Sequence, residues 1–378
     1  MTDITIYQPK KVFLAEGALD ELFSELSTEE HLKIFILSDP HLAPVVSAKI
    51  KTKNLNVLVA ESSGAEPSYK DCVNFIDAAR NYQANYIIGV GGGSVLDLAK
   101  LVAALVDRDE DISQFAGKGL IGKRNIPLVC VPTTSGAGSE ASPNAILIDD
   151  SDNSKKGIID QVLIPDAVYI DPTLIASLPP AITAYTGLDA LTHCIEAYAN
   201  KNAHPVIDTY AMEGIRLISQ NLGKVIADGN DLEARSKVAL GAYYGGLCLG
   251  PVNTAAVHAL AYPLGTTYKI AHGLSNALIL VSVLEFNLEA AKERYAQIAL
   301  AMGGQELDSE EKTAKQGFEL IRNLIEECGM PSKLSDLNVS ESALPQMAND
   351  AMKIQRLLVN NVKPVTADDT INIYKKVL

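Results

Sequence analysis

The sequence predicts two domains of different fold class: an α/β domain with a doubly wound parallel sheet over residues 1–178, and an all-helical domain over residues 179–378. Two observations support this prediction. Up to about residue 175, short β-branched runs alternate with stretches of helical period, which is typical of a parallel sheet covered by helices. Beyond Ser177 the β-branched runs stop and only long helical patterns follow. The turn Leu178-Pro179-Pro180 marks the expected boundary.

The elements follow in order along the chain. Between the second and third expected strands, Ser68–Tyr82 has a helical period, and this order favours a right-handed crossover. In the second half, Pro205–Asn221 opens with a proline suited to a first helical position. The small-residue segment Gly241–Gly250 predicts close packing of helices. The expected strands are Ile34–Leu37, Asn56–Ala60, Tyr86–Val90, Leu128–Val131, Ala145–Ile148 and Val168–Ile170.

The composition excludes several classes of protein. With 378 residues, of which 47% are hydrophobic and 21% charged, the chain is typical of a globular protein and not of a disordered, collagenous or coiled-coil one. A net charge of -14 disfavours nucleic acid and anionic membranes as partners. No signal peptide or spanning helix can be read, so we expect a cytoplasmic protein. Five scattered cysteines without a C-x-x-C spacing indicate buried thiols in a reducing compartment.

A glycine loop follows the third expected strand. Gly91, Gly92 and Gly93 separate this buried strand from an apolar helix start, so backbone amides there can bind a pyrophosphate. The loop is not G-x-G-x-x-G, because Ser94 stands at the last glycine position, and no G-K-[ST] follows. The alternative is a plain turn in which Ser94 caps the helix, Asp97 completes a capping box, and Asp97 pairs with Lys100 on the surface.

Two further loops are expected at the same edge of the sheet, because ligands of open α/β sheets bind at the carboxyl ends of strands. Pro132–Glu140 offers hydroxyls and open backbone after one strand, and we refer to it as the hydroxyl loop. Asp39 follows the first strand, where an acid can accept hydrogen bonds from ribose hydroxyls and repel a 2′-phosphate. The alternatives are an ordinary turn at Asp39-Pro40 and a solvated connection at the hydroxyl loop.

A metal site is indicated in the helical half. Asp189 and His193 are four residues apart, so a helix places both on one face, and His258 and His272 follow in motif-like sequence. One carboxylate and three imidazoles suit Fe, Co, Ni or Zn better than Mg or Ca. The alternatives are a helix-surface contact for the first pair and a core histidine at His258. The remaining histidines are expected to be exposed or in a loop, namely His31, His204 and His41.

Together these motifs resemble the iron-containing, group III alcohol dehydrogenase family over nearly the whole chain. The resemblance implies a Rossmann-like dinucleotide domain and a helical metal-binding domain, the superfold shared with dehydroquinate synthase. It implies an NAD(P)- and divalent-metal-dependent oxidoreductase that interconverts an alcohol and an aldehyde or ketone, the metal polarising the substrate oxygen. It also implies a homodimer or larger homo-oligomer. The matching motifs are GGGSVLDLAK at Gly91–Lys100, PTTSGAGSE at Pro132–Glu140, PDAVYIDP at Pro165–Pro172, GLDALTHCIEAY at Gly187–Tyr198 and HGLSNA at His272–Ala277.

The resemblance also assigns residues. It makes Asp189, His193, His258 and His272 the ligands of Fe(II), or of Zn or another first-row metal. It expects NAD rather than NADP because of Asp39. Either Lys155 or Lys156 matches a lysine near the nicotinamide ribose. The cofactor-binding set is Asp39, Gly91, Gly92, Gly93, Ser94, Asp97, Thr133, Thr134, Ser142, Lys155 and Lys156.

One position departs from the family pattern. Many members have a histidine four residues after the third ligand, to which proton relay has been attributed, and here that position is Tyr262. The reference pKa of tyrosine is about 10 and that of histidine about 6.5, so relay near neutral pH needs a perturbed or hydrogen-bonded hydroxyl. Tyr262 is therefore either a proton relay or a residue that shapes the substrate pocket.

Three other functions remain open at this point. One is a glycerol dehydrogenase or dehydroquinate synthase-like enzyme of the same fold. Another is a hydroxyacid–oxoacid transhydrogenase or a reductase of carboxylated substrates, and the third is a non-catalytic binding module. The sequence does not name the substrate, because a methylene in a pocket changes selectivity by only about 1–3 kcal/mol.

Overall fold

The computed structural model describes residues 3–62 and 66–378, which divide into two compact units. The first is Ile6–Ser177, and the second is Leu178–Leu378 together with residues 3–5. The first is an α/β unit and the second is helical, as predicted. Within the described residues that follow Ile170, no strand forms.

A six-stranded sheet forms the centre of the first unit. Its strand order is β1-β9-β6-β4-β2-β3, and all neighbouring strands in it are parallel. The strands of the unit are β1 (Lys11–Leu14), β2 (Ile34–Ser38), β3 (Val57–Glu61), β4 (Tyr86–Gly91), β5 (Gly117–Lys118), β6 (Leu128–Pro132), β7 (Asn144–Asp149), β8 (Ser154–Ile159) and β9 (Ala167–Ile170). Its α-helices are α1 (Ala18–Leu26), α2 (Ala43–Lys51), α3 (Tyr69–Tyr82), α4 (Gly93–Leu105) and α5 (Pro172–Ile175).

The sheet buries both of its faces. On β2, Phe35 and Leu37 belong to one apolar cluster, which contains residues of α3 and α4, whereas Ile34 and Ile36 belong to the other, which contains residues of α1 and α2. Successive side chains of a strand point to opposite faces, so a strand covered on both sides reads as a continuous apolar run. This is why the sequence predicted the central strands.

The direction in which the sheet grows reverses between β2 and β4. From β2 the chain forms β3 on one side, then returns to form β4 on the other side of β2, and continues outward through β6 and β9. Such a switch point is the usual ligand site of an open α/β sheet. The register pairs Ser38 of β2 with Val90 of β4, and Gly91 of β4 with Pro132 of β6. The loops after these three strands therefore leave from one edge.

One expected strand lies in a different sheet. Ala145–Ile148 forms within β7, but β7 pairs antiparallel with β8 in a small second sheet of order β5-β8-β7. The prediction that it belongs to the parallel sheet was wrong, because a strand pattern does not specify the partner strand. Strands β1, β5 and β8 were not predicted. Two of them are very short, and β8 begins with Ser154-Lys155-Lys156-Gly157, which carries no β-branched run.

The second unit is a helical assembly. The helix expected at Pro205–Asn221 forms and continues to Ala227, and the apolar residues on one of its faces are fully buried, namely Ile207, Ala211, Ile215 and Ile218. In the Gly241–Gly250 segment, a β-carbon on Gly245 would stand 3.3 Å from the Cβ of His193, which confirms the close packing. The helices are α6 (Pro180–Tyr198), α7 (Pro205–Ala227), α8 (Leu232–Leu249), α9 (Ala256–Tyr268), α10 (His272–Ala301), α11 (Glu310–Glu327), α12 (Leu344–Ala351), α13 (Gln355–Leu358) and α14 (Ala367–Lys375).

Helix α10 is long and apolar enough to cross a membrane, which the sequence reading did not anticipate. In the structure, however, 78% of its most apolar window is buried by the surrounding protein. A helix that is apolar on all sides is also what the centre of a large helical unit requires. Helix α10 is therefore a core element of this unit.

Candidate functional site

The glycine loop and the hydroxyl loop lie against each other in the first unit. A β-carbon on Gly93 would stand 2.7 Å from the Cβ of Ala137, and one on Gly92 would stand 3.3 Å from Cγ2 of Thr134. Helix α4 begins at Gly93, and its N-cap, Gly92, provides no side-chain cap. The alternative in which Ser94 caps the helix is therefore wrong. The first amides of α4 lack such a cap, which is the arrangement that binds phosphate groups at helix N-termini.

Asp97 and Lys100 form an internal anchor for the hydroxyl loop and not the surface pair considered above. The Lys100 side chain is 0% exposed, and its Nζ lies 3.7 Å from the Asp97 carboxylate. It donates to the carbonyl oxygens of Ser139 and Ser142 at 2.9 and 3.0 Å. Asp97 accepts hydrogen bonds from the hydroxyl of Ser139 and from the amide of Ile146. The predicted cofactor residue Asp97 thus has both carboxylate oxygens engaged by protein groups.

A second buried carboxylate accompanies this pair. Glu140 is 4% exposed, and burial raises the pKa of its carboxyl to about 7, although the charge of Lys100 opposes the shift. Burial likewise lowers the pKa of Lys100 and raises that of Asp97. The charge of Lys100 therefore neutralises that of Asp97. Glu140 is neutralised by its own protonation near neutral pH.

Asp39 follows β2 at the switch point. Its Oδ1 accepts hydrogen bonds from the amides of His41 and Leu42, both at 3.0 Å, so the residue does begin a turn. Its other oxygen, Oδ2, makes no hydrogen bond within the described parts of the chain. The turn and a ribose-binding role are therefore compatible.

Lys155 and Lys156 are neighbours on β8, so they point to opposite faces of the small sheet. Lys155 pairs with Glu66, and Lys156 pairs with Asp152 at 2.9 Å. Thr133, in the hydroxyl loop, and Ser142, two residues beyond it, are both 2% exposed.

In the second unit, the four predicted metal ligands come together. Asp189 and His193 lie on α6, His258 on the first turn of α9 and His272 at the start of α10. The Asp189 Oδ1 atom lies 3.5 Å from Nε2 of His258, 3.6 Å from Nε2 of His272 and 3.8 Å from Nε2 of His193. Donor atoms of Asp189, His258 and His272 all lie within 4.8 Å of one another. His193 stands beside this group, with its ring stacked on that of His258.

The residues fit a divalent first-row metal. One carboxylate with imidazole nitrogens is the donor set that such ions prefer. Asn276, fully buried on α10, donates from Nδ2 to Asp189 Oδ1 at 2.7 Å, and this Nδ2 is 3.2 Å from His258 Nε2. Its Oδ1 is buried without a hydrogen-bond partner among the described residues. Asn276 therefore carries an unsatisfied buried oxygen on the same side chain that contacts Asp189 and His258, and a buried polar atom of this kind is usually satisfied by an ion, a ligand or water.

The electrostatics favour a cation at this place. Burial alone raises the pKa of Asp189, but the neighbouring charges of His193 and His272 hold it far below its usual range. Burial lowers the pKa of His258, yet hydrogen bonds with Asp189 and Glu196 raise it to about 10. A metal ion would compete with a proton here, because it binds the neutral imidazole.

Sequence reasoning missed Glu196, which lies three residues after His193 on α6 and is 4% exposed. Its Oε2 is 2.6 Å from Nδ1 of His258. The available signal was an H-x-x-E spacing, but its partner lies 62 residues away in sequence. Sequence reasoning also misplaced His204, which is buried and not exposed because its Nδ1 caps α7 by accepting from the amide of Val206. His31 is exposed as expected.

Tyr262 and Arg356 lie beside the metal-site histidines. The Tyr262 ring stacks on that of His272 with centroids 6.1 Å apart. The Tyr262 hydroxyl accepts a hydrogen bond from Arg356 at 2.8 Å. Arg356 is exposed and has no carboxylate within ion-pair distance in the described chain. His272 is the most exposed of the four predicted ligands, so Tyr262 and Arg356 border the open side of the group.

Comparisons with known proteins identify relatives of both units. Residues 9–172 match the family described as iron-containing alcohol dehydrogenase, and residues 183–378 match the Fe-containing alcohol dehydrogenase family, C-terminal. The chain is 36% identical to long-chain-alcohol dehydrogenase 1 of Geobacillus thermodenitrificans, covering 95% of this chain and 93% of that protein. It is 30% identical to sulfoacetaldehyde reductase of Bilophila wadsworthia, covering 97% and 96%. A crystal structure of 1,3-propanediol oxidoreductase superposes with a TM-score of 0.95 at 29% identity, over 100% of both chains.

Proposed function

Since the chain belongs to the iron-containing alcohol dehydrogenase family, and so is an NAD- and metal-dependent enzyme that interconverts alcohols with aldehydes or ketones, we propose a division of labour between its two units. Residues 1–178 bind the dinucleotide. Residues 179–378 hold the metal on Asp189, His193, His258 and His272. The observation that carries the proposal is the convergence of three imidazole Nε2 atoms on Asp189 Oδ1.

The dinucleotide site lies at the switch point of the sheet. The pyrophosphate binds the backbone at Gly91, Gly92, Gly93 and Ser94, where α4 begins without a side-chain cap. The free oxygen of Asp39 accepts from the ribose hydroxyls and selects NAD over NADP. Asp97 acts by anchoring the hydroxyl loop, whose close contact with the glycine loop supports this role. The remaining cofactor residues are Thr133, Thr134, Ser142 and one of Lys155 and Lys156.

When bound, the divalent metal supplies Lewis-acid polarisation of the substrate oxygen, and NAD accepts or supplies the hydride. The chain's own residues prepare the site for this chemistry. Asn276 holds Asp189 by a hydrogen bond, and burial of Asp189 and His258 to about 5% exposure keeps water away from them. Tyr262, hydrogen-bonded to Arg356, is placed to exchange a proton at its hydroxyl. We propose Fe(II) as the working metal, with Zn or another first-row ion able to replace it.

Metal depletion and reloading test the proposal. Protein stripped with a chelator is reloaded separately with Fe(II) or Zn(II), and NADH and NADPH absorbance is followed with short alcohols, diols, hydroxyacids and their carbonyl forms. We expect NAD-linked turnover that returns with Fe(II) and is lost in His272→Ala, while His41→Ala, in an exposed loop, is unaffected. Full activity in the stripped protein, or in His272→Ala, would contradict the metal site.

The position of Arg356 favours a second candidate, a substrate with an acidic group. The Arg356 guanidinium has no carboxylate partner among the described residues, so it can bind the carboxylate or sulfonate of a substrate near the open side of the site. The test compares two aldehydes of equal length, one of which ends in a carboxylate. If this candidate holds, Arg356→Gln raises KM for the charged aldehyde and not for the neutral one. If Arg356→Gln changes KM equally for the two aldehydes, Arg356 does not bind an acidic group, and neutral alcohols remain the expected substrate class.

We infer further that the protein is cytoplasmic and forms a homodimer or larger homo-oligomer, that its substrate is a small-molecule alcohol or carbonyl compound, and that it binds neither nucleic acid nor a membrane. Sedimentation of the purified protein measures its oligomeric state, and a monomer at working concentration would contradict this inference.

A further inference from the structure

Glu196 is a buried carboxylate that the chemistry described above does not use. It lies on α6, one turn after His193, and both of its oxygens are engaged. Oε1 accepts the backbone amide of Val257 at 2.6 Å, and Oε2 lies 2.6 Å from Nδ1 of His258. Two such short contacts to adjacent residues of another helix mean that the carboxylate is held in one orientation.

The first of these contacts caps a helix from outside. Helix α9 begins at Ala256, and its N-cap residue, Ala255, provides no side-chain hydrogen bond. The amide of Val257 is one of the first N–H groups of α9, which have no partner within the helix. Glu196 satisfies this amide from α6 and places a negative charge at the positive end of the α9 dipole.

The second contact sets the chemistry of the imidazole. A neutral histidine has one N–H and one lone pair, and a hydrogen bond to one ring nitrogen determines which nitrogen is which. With Nδ1 donating to Glu196, the lone pair of His258 lies on Nε2, which is 3.5 Å from Asp189 Oδ1. One carboxylate therefore fixes both the backbone and the ring of this predicted ligand.

We propose that Glu196 is a positioning residue that holds His258 in the Nδ1–H tautomer and thereby sets the affinity and geometry of the metal site. This inference rests on the proposed metal site and extends it to a fifth residue. Partners of this kind behind a ligating histidine change metal affinity by about 10–100-fold when they are replaced.

Co(II) binding is the measurement, because its affinity is obtained by competition with a chelator and its visible spectrum reports coordination geometry. The variants are Glu196→Ala, Glu196→Gln and His258→Ala. The matched control is Asp231→Asn, which alters a carboxylate that caps α8 through the amide of Ala234 and touches no predicted ligand.

We expect Glu196→Ala to weaken Co(II) binding by about 10–100-fold and to alter the spectrum. Glu196→Gln should lose less, because its carbonyl oxygen still accepts from Nδ1 while its NH2 group faces the Val257 amide. Asp231→Asn should change stability alone. If Glu196→Ala does not fold, the ¹⁵N ring shifts of His258 in the Zn(II)-loaded wild-type protein and Glu196→Gln variant still decide the question, because they distinguish a ring bound through Nε2 with Nδ1–H from the opposite arrangement.

Two results would overturn the proposal in distinguishable ways. In the first, the Glu196 variants bind Co(II) within about twofold of wild type, while His258→Ala binds it more weakly. Glu196 would then act only as a cap of α9. In the second, His258→Ala binds Co(II) as tightly as wild type. His258 would then not be a metal ligand, and both the proposed metal site and the role of Glu196 would be wrong.

Discussion

Gly273 lies so close to Tyr185 that a β-carbon on this glycine would stand 1.8 Å from the Tyr185 carbonyl oxygen and 3.2 Å from the Cβ of Asp189. This contact joins the start of α10, which carries His272, to α6, which carries Asp189. The absence of a side chain at one residue therefore sets the separation of two predicted metal ligands.

We predict that Gly273→Ala lowers both the stability and the metal affinity of the protein. The added methyl must push α10 away from α6, and overpacking of this kind costs about 1–3 kcal/mol. Urea unfolding and Co(II) competition measure the two effects. Gly265→Ala on α9 is the control, because its β-carbon would meet only Ile270 O at 3.6 Å. If Gly273→Ala leaves the metal affinity unchanged, the contact between Gly273 and Tyr185 does not set the spacing of the metal ligands.

Lys100→Met should destabilise the first unit and weaken NADH binding. The change leaves Asp97 as an unpaired buried charge and strips hydrogen bonds from the Ser139 and Ser142 carbonyls, at a cost of about 3–5 kcal/mol. NADH fluorescence titration and urea unfolding report the losses. The double variant Asp97→Asn/Lys100→Met should be less destabilised than the single one, because no charge is left alone. Equal destabilisation in both would argue against a coupled pair.

Glu140 should make stability fall as pH rises. At pH below about 4.5 its carboxyl is protonated in the folded and unfolded chains alike, so it contributes no pH dependence there. Between about pH 4.5 and 7 the unfolded chain releases this proton while the folded chain keeps it, which favours unfolding. The loss is a few kcal/mol, at ~1.4 kcal/mol per pH unit, and levels off above pH 7.

In Glu140→Gln this component disappears, so the variant gains stability relative to wild type as pH rises from about 4.5 to 7. Thermal unfolding at a series of pH values gives the difference curve. Glu289→Gln, at a carboxylate that is 80% exposed, should give a flat difference curve. A flat curve for Glu140→Gln as well would mean that this carboxyl is ionised in the folded protein.

The sequence predicted the buried centre of the fold better than its edges. A strand covered on both faces, such as β4, leaves a continuous apolar run that can be read directly. The edge strand β1 has only four residues, and half of its residues are exposed. The site shows the same division between local and distant contacts. Asp189 and His193 share a helix face, whereas the pairing of Glu196 with His258 depends on how two helices pack.

Lys100 illustrates why the remainder could not be read. Its spacing from Asp97 is that of a common exposed ion pair, and only the fold shows that both are enclosed behind the hydroxyl loop. Burial depends on what neighbouring elements cover, and this information is absent from the local pattern.

Asp39→Asn should relax the preference for NAD. The asparagine oxygen can still accept from the amides of His41 and Leu42, so the turn is retained and only the charge is removed. The ratio of kcat/KM for NADP to that for NAD should rise by about tenfold or more, because juxtaposed like charges cost several kcal/mol. Steady-state kinetics with both cofactors provides the check, and an unchanged ratio would place cofactor selection elsewhere.

Tyr262→Phe tests proton relay. If the hydroxyl carries the proton, turnover should fall by about 100-fold or more and the pH–rate profile should change shape. Tyr268→Phe, on the last turn of the same helix, is the control. An unchanged profile with an altered KM would make Tyr262 a residue that shapes the substrate pocket.

The reactivity of the five buried cysteines can report local unfolding of this protein. Cys72 and Cys130 lie in the first unit, and Cys194, Cys248 and Cys328 lie in the second. Burial raises the pKa of each thiol, so in the folded chain they are both inaccessible and poor nucleophiles. A thiol reagent therefore modifies only molecules that have opened locally, and the order in which the five react traces which helices and strands separate first. Because Cys194 follows His193 directly on α6, its rate of modification would record how tightly the metal keeps that helix closed.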